Sequence, residues 1–117
     1  MDLMTLNIER GRDHGIPTYN QIRRICGLPV ARTFDDITDQ IPASLVNRMR
    51  TVYASVDDID FFVGGITERP VSDGLLGWTF TCIIGDQFVR ARQGDRFFYD
   101  LGGQPGSFKA SKFIYII

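Results

Sequence analysis

Apolar residues recur at helical spacing over five stretches of the chain. Leu3 and Leu6 share a face with Asn7 and Arg10, at i, i+3, i+4 and i+7. The pattern predicts a first helix from about Leu3 to Arg10 or Arg12, capped by Asp2 and weakened by Gly11. An amide and a guanidinium thus fall in a stripe expected to be buried, where both need polar partners. Pro17 suits the first position of a second helix, whose Tyr19, Ile22 and Cys26 lie on one face before Gly27 and Pro29 stop it. Arg23 and Arg24 fall mostly off that face.

Thr33 to Asp36 reads as the cap of a short helix around Phe34 to Gln40. Pro42 opens a longer helix to about Ser55, with Leu45, Met49, Val52 and Tyr53 on its apolar side. After Phe61 to Val63, the pair Gly64 and Gly65 is expected to turn the backbone sharply beneath a neighbouring helix. Glu68 to Asp73 is a polar, proline-containing loop. Leu75 to Gln93 is the longest predicted helix, burying Leu76, Phe80, Ile83, Ile84 and Phe88. The run DRFFYD, 95 to 100, reads as an irregular segment that closes the core. The class is mainly α, about four to five helices joined by loops.

Composition agrees with an ordered domain: 117 residues, 44% hydrophobic and 23% charged. A formal net charge of -1 gives no reason to expect nucleic acid or an anionic membrane as partner. Basic residues cluster at Arg10 and Arg12, at Arg23 and Arg24, and at Arg90, Arg92 and Arg96, and outside Arg10 they read as solvated helix faces. Leu75 to Gly85 is too short to span a bilayer, and no charged segment followed by an apolar core marks a secretory signal, so a product translated as given is expected in the cytosol.

Candidate chemistry is sparse. His14 is the one histidine, and its place in a turn between charged neighbours favours a structural or exposed role over iron ligation or base catalysis. Asp57, Asp58 and Asp60 lack the alternating spacing and glycine of a calcium loop and read as capping and turn carboxylates. The glycine pair lacks the lysine and spacing of a phosphate-binding loop.

The runs LNIERGRDHGIPTYN and ICGLP, then IDFFVGGITE, TCIIGDQFVRARQGDRFFYD and GQPGSF, resemble in order the C-terminal part of animal-type haem peroxidases, the myeloperoxidase and peroxidasin superfamily. The resemblance covers residues 1–108 as a partial peroxidase domain and leaves 109–117 as a divergent, β-prone tail that is an aggregation hazard if exposed. It implies a helical domain fragment, a haem cofactor, and reduction of hydrogen peroxide with oxidation of a donor or halide during oxidative stress. It also implies secretory or extracellular location, and an upstream segment that carries the haem histidines and the family's calcium loop. By the same resemblance, Asn7 is the partner of a proximal histidine supplied from that segment, and Arg10 a haem-propionate or haem-periphery contact. From the residues alone, both could equally satisfy backbone groups. Glu9 stands where relatives often have glutamine. Cys26 and Cys82 are implied to form a disulfide, the alternative being two buried thiols. A fragment of this kind is expected to be inactive alone; the competing reading is a non-catalytic interaction or structural module derived from a peroxidase.

Overall fold

A computed structural model describes residues 2–105 and 107. The elements are α1 (Leu3–Asp13), α2 (Tyr19–Ile25), a 3₁₀ segment (Phe34–Asp39), α3 (Ala43–Met49), a short 3₁₀ turn (Val56–Asp58), α4 (Phe61–Thr67) and α5 (Trp78–Gly94), with no strand among the described residues. The tail 109–117, read as divergent and β-prone, lies outside them. The chain divides into two compact units, one through Ile83 and the other from Ile84.

The first unit is built around α2. Tyr19, Ala31, Ile37, Ile41, Val46, Met49, Val56 and Ile59 form its buried cluster, drawn from α2, α3, the two 3₁₀ segments and the loops between them. Tyr19 is fully buried. Its ring lies against Gly64 in α4, where a Cβ would stand only 2.2 Å from the ring carbon. Gly65 admits Phe80 in the same way, at 2.5 Å. The glycine pair therefore sits inside a helix and works by close approach, not by the sharp turn its sequence suggests.

Polar groups tie these helices together below the surface. The Tyr19 hydroxyl donates to Glu68 Oε1 at 2.8 Å, and Glu68 Oε2 accepts the Thr79 backbone N–H at 2.9 Å. Glu68 thus closes α4 and satisfies an N–H in the first turn of α5. Arg23, 1% exposed, makes a forked pair with Asp39 at 3.0 and 2.8 Å, and also reaches the Pro29 carbonyl. Burial opposes its charge, but Asp39 and Tyr19 hold its pKa above the usual value. This corrects the solvated reading of Arg23; Arg24 is exposed, as that reading has it. Asn20 accepts from the Ala31 N–H and donates to its carbonyl, each at 2.8 Å, pinning the loop after α2.

Other boundaries shift for local reasons. The second helix begins at Tyr19, with Thr18 as its cap and the Thr18 N–H donating to Gln21 Oε1. α3 stops at Met49, not near Ser55: Thr51 and Val52 donate to carbonyls three residues back, the Thr51 hydroxyl bonds the Arg48 carbonyl, and Ser55 starts a new cap with Asp58. α5 starts at Trp78, because the Val71 N–H donates to the Leu76 carbonyl and keeps the preceding residues in a loop. Leu76, Ile84 and Phe88, expected inside, are exposed, and Phe80 and Ile83 are half-buried. Among the described residues, α1 buries no side chain, so the stripe of Leu3, Leu6, Asn7 and Arg10 is not a core face.

In the second unit, Arg90 pairs with Asp86 and Arg92 with Asp100. Phe97 and Tyr99 are exposed, which corrects the core-closing reading of DRFFYD; Arg96 stacks on Phe97 and Phe98 packs on Tyr99.

Cys26 and Cys82 are joined by a disulfide across 56 positions, fastening the end of α2 to α5. Closing a loop of that length removes about 4 kcal/mol of chain entropy from the unfolded state. Reduction is therefore expected to lower unfolding stability by up to that amount, measured by urea titration with and without reductant. The glycines offer an internal comparison. Gly64→Ala should destabilise by about 1–3 kcal/mol, because the methyl meets Tyr19. Gly85→Ala, with nothing within 4 Å of the new methyl, should stabilise by about 0.5–1 kcal/mol in the same titration.

Candidate functional site

In the first unit an open cleft of about 590 Å³ lies beside α1. Asn7, Ile8, Arg10, Gly11 and Arg12 line it from α1, with Ile16 and Thr18 beyond the turn, Asp57, Asp58 and Asp60 from the segment before α4, Phe61 and Phe62 from α4, and Phe80 from α5. The Phe61 and Phe80 rings meet edge-on, with centroids 5.3 Å apart, and give the cleft an aromatic floor.

The helix that carries Asn7 and Arg10 follows from its ends. The Asp2 carboxylate accepts the Thr5 N–H at 2.8 Å, and this bond holds the Asp2 carboxyl below its ordinary pKa. At the other end, the His14 N–H donates to the Arg10 carbonyl and the Ile16 N–H to the Gly11 carbonyl, with Gly15 at φ 62° making the turn. Asn7 is half-buried and Arg10 exposed. Among the described residues, neither side chain hydrogen-bonds the backbone; the Arg10 carbonyl meets the His14 ring Nδ1 at 2.9 Å in addition to the His14 N–H. The site residues expected from the sequence, Asn7 and Arg10, thus come together on one cleft wall with their polar groups uncommitted to the backbone.

His14 lies away from that wall. Its side chain is 65% exposed and its Nδ1 is 3.6 Å from the Asp13 carboxylate, in keeping with the structural or exposed reading. Among the described residues, no group of three or more His, Cys, Asp or Glu side chains is placed to hold a metal ion. Asp58 accepts the Ser55 N–H at 2.9 Å as a capping residue, and Asp57 accepts from the Asn20 amide.

Asp60 has a different task from the capping role expected of it. Arg12 meets it in a fork, Nε to Oδ1 at 2.9 Å and Nη2 to Oδ2 at 2.7 Å, and the Tyr53 hydroxyl donates to Oδ2 at 2.9 Å. The Arg12 bonds hold the Asp60 carboxyl below its ordinary range, outweighing burial, which acts the other way. Burial, and then the Asp60 carboxylate, push Tyr53 up to about 12. Sequence reasoning misses this cluster: Arg12 and Asp60 are 48 positions apart, and no local pattern links them.

Chemically, the cleft offers an apolar aromatic surface edged by the Asn7 amide, by the Arg10 and Arg12 guanidinium groups, of which Arg12 is paired with Asp60, and by the carboxylates of Asp57 and Asp58. Such a wall suits the flank of a flat, largely apolar group with acidic substituents: rings for the faces, Arg10 for a carboxylate, Asn7 for an N–H. Among the described residues, its lining holds no histidine, cysteine, methionine or tyrosine to bind a metal.

Asp60 has a depressed folded-state pKa, so its stabilising effect is complete above the unfolded value near 3.8 and is lost as pH falls through the lower folded value. Asp60→Asn should accordingly lower the melting temperature at neutral pH. The gap from the parent chain should close on acidification below that window, as followed by thermal unfolding across pH.

Residues 1–116 match the family model for animal haem peroxidase. The chain is 50% identical over 112 residues to peroxidase mlt-7 of Caenorhabditis elegans, covering 95% of this chain and 15% of that protein. It is 40% identical over 117 residues to peroxidasin of Drosophila melanogaster, covering 99% of this chain and 8% of that protein. Among solved structures, peroxidase A from Dictyostelium discoideum superposes with a TM-score of 0.76 at 47% identity, over 87% of this chain and 20% of that one. The chain thus spans a fifth or less of each of these relatives, and its all-helical fold agrees with that solved peroxidase structure. Together these matches place it in a family: the chain belongs to the animal haem peroxidases.

Proposed function

We propose that this chain forms the proximal-side wall of a haem peroxidase domain that reduces hydrogen peroxide and oxidises a donor or halide. The observation that carries the reading is the placement of Asn7 and Arg10 together on one wall of an aromatic-floored cleft. Haem, when bound, supplies the redox chemistry of peroxide reduction. The residues of this chain supply orientation and shielding. The Asn7 amide oxygen accepts the free ring N–H of a histidine contributed by an upstream peroxidase segment, which fixes the tautomer and the ring plane. Arg10 offers a charge-assisted bond to a propionate. Phe61, Phe62 and Phe80 keep water from that side.

In this reading the partner is the rest of the domain, and the chain alone is inactive because the described cleft lining holds no histidine, cysteine, methionine or tyrosine to hold the iron. The Cys26–Cys82 bond supports a secretory or extracellular setting, where such bonds persist. No described helix is long and apolar enough to cross a membrane.

The test is made in a haem-loaded domain that carries this segment in place of the matching part of Dictyostelium peroxidase A. Asn7→Asp should lower the iron reduction potential while haem is retained, since a carboxylate draws the imidazole towards imidazolate. Arg10→Ala should mainly weaken haem retention, measured by transfer to a haem acceptor. An unchanged potential in a folded, loaded Asn7→Asp domain would remove the proximal-partner role.

A further inference from the structure

Asn7 and Arg10 face the cleft only while α1 keeps one rotation about its own axis, and packing alone is a weak guide to that rotation. Among the described residues, α1 buries no side chain, and Leu3 and Met4 stand largely in solvent. A helix held only by a few half-covered apolar groups can roll at small cost.

Among the described residues, one directional contact, between Arg12 and Asp60, opposes rolling. Arg12 lies five residues after Asn7, roughly 140° further around the helix, so a restraint at Arg12 fixes the azimuth of Asn7. The restraint is a fork, which needs both the guanidinium and carboxylate planes aligned. The carboxylate is kept from following the helix, because the Asp60 side chain is only 14% exposed, its residue immediately precedes α4, and its Oδ2 also accepts the Tyr53 hydroxyl. The Arg12 side chain is 65% exposed, and a pair with one solvated partner adds little to overall stability. Direction is then its main contribution.

We propose that Arg12, Asp60 and Tyr53 are positioning residues that hold α1 with the Asn7 amide turned towards the cofactor side of the cleft. This rests on the assignment of Asn7 as the histidine's partner. Loosening the brace should leave the imidazole N–H without a steady acceptor, making the ring a poorer donor and raising the iron potential. That sign is opposite to the one expected for Asn7→Asp, so the two effects separate.

The experiment uses two preparations. In the full chain, hydrogen exchange of the α1 amides is compared for the parent, Asp60→Asn and Arg12→Lys; Arg12→Lys keeps the charge but loses the fork and is exposed enough to fold. Both variants should lose α1 protection while α2 keeps its own. In the haem-loaded domain described above, both should shift the potential upward, Arg12→Lys by less. Unchanged α1 protection in both variants would overturn the brace. Lost protection with an unchanged potential, while Asn7→Asp still lowers it, would overturn the positioning role and leave the Asn7 assignment standing. If Asn7→Asp itself leaves the potential unchanged, that assignment fails and the positioning role fails with it.

Discussion

The structure of the first unit depends on a buried carboxylate. Glu68, 7% exposed, takes the Tyr19 hydroxyl on one oxygen and the Thr79 N–H on the other, joining α2, α4 and α5 at one point. The site is crowded as well as polar: a Cβ on Gly77 would stand 2.2 Å from Glu68, and one on Gly64 would strike Tyr19. Neither side chain can move aside without leaving a buried donor unpaired, which costs about 1–3 kcal/mol per group. Burial pushes the Tyr19 hydroxyl well above its ordinary pKa, so it remains a donor throughout the neutral range. The arrangement continues outward, since the Tyr19 hydroxyl also receives a long contact from Arg23, whose fork grips Asp39.

The cleft inherits its shape from that core. Tyr19 sets the seat of α4 through Gly64, and one residue on Gly65 admits Phe80, which floors the cleft with Phe61. Asp60 precedes α4 and reaches across to Arg12, so the helix bearing Asn7 and Arg10 is referred to the same rigid element. Packing energy is concentrated at α2 and α4, and among the described residues α1 is attached by half-buried groups and the Arg12–Asp60 fork. The division of labour is physical: a dense core fixes the aromatic floor, and a directional ion pair aims the polar wall.

Local signals made much of this legible. Asp2, Gly27 and the capping pair Thr33 and Asp36 gave true helix ends, and the apolar positions Tyr19, Ile22, Val46-flanking Leu45 and Met49 fell in or against the core. The helical class came from apolar spacing and capping residues, and the pairing of Cys26 with Cys82 from resemblance to a family. What was not legible is long-range and polar. Arg23 looks like one of two solvated arginines until Asp39, sixteen residues on, is seen beneath it. Glu68 looks like a loop residue because both its partners lie outside its own segment. The α1 stripe misled for another reason: its apolar spacing is real, but amphipathic periodicity marks a face that can be covered, and within the described residues none of its side chains is fully buried.

The most direct measurement is haem uptake followed by peroxide-dependent donor oxidation, made on the chain alone and on the same chain carried within Dictyostelium peroxidase A in place of its matching segment. A proximal-side wall should give no turnover above free haem when alone, with or without His14, and haem-loaded, enzyme-like turnover when joined to the remainder of the domain. Enzyme-like turnover from the isolated chain that disappears on His14→Ala would contradict it, as would a folded hybrid that takes up no haem.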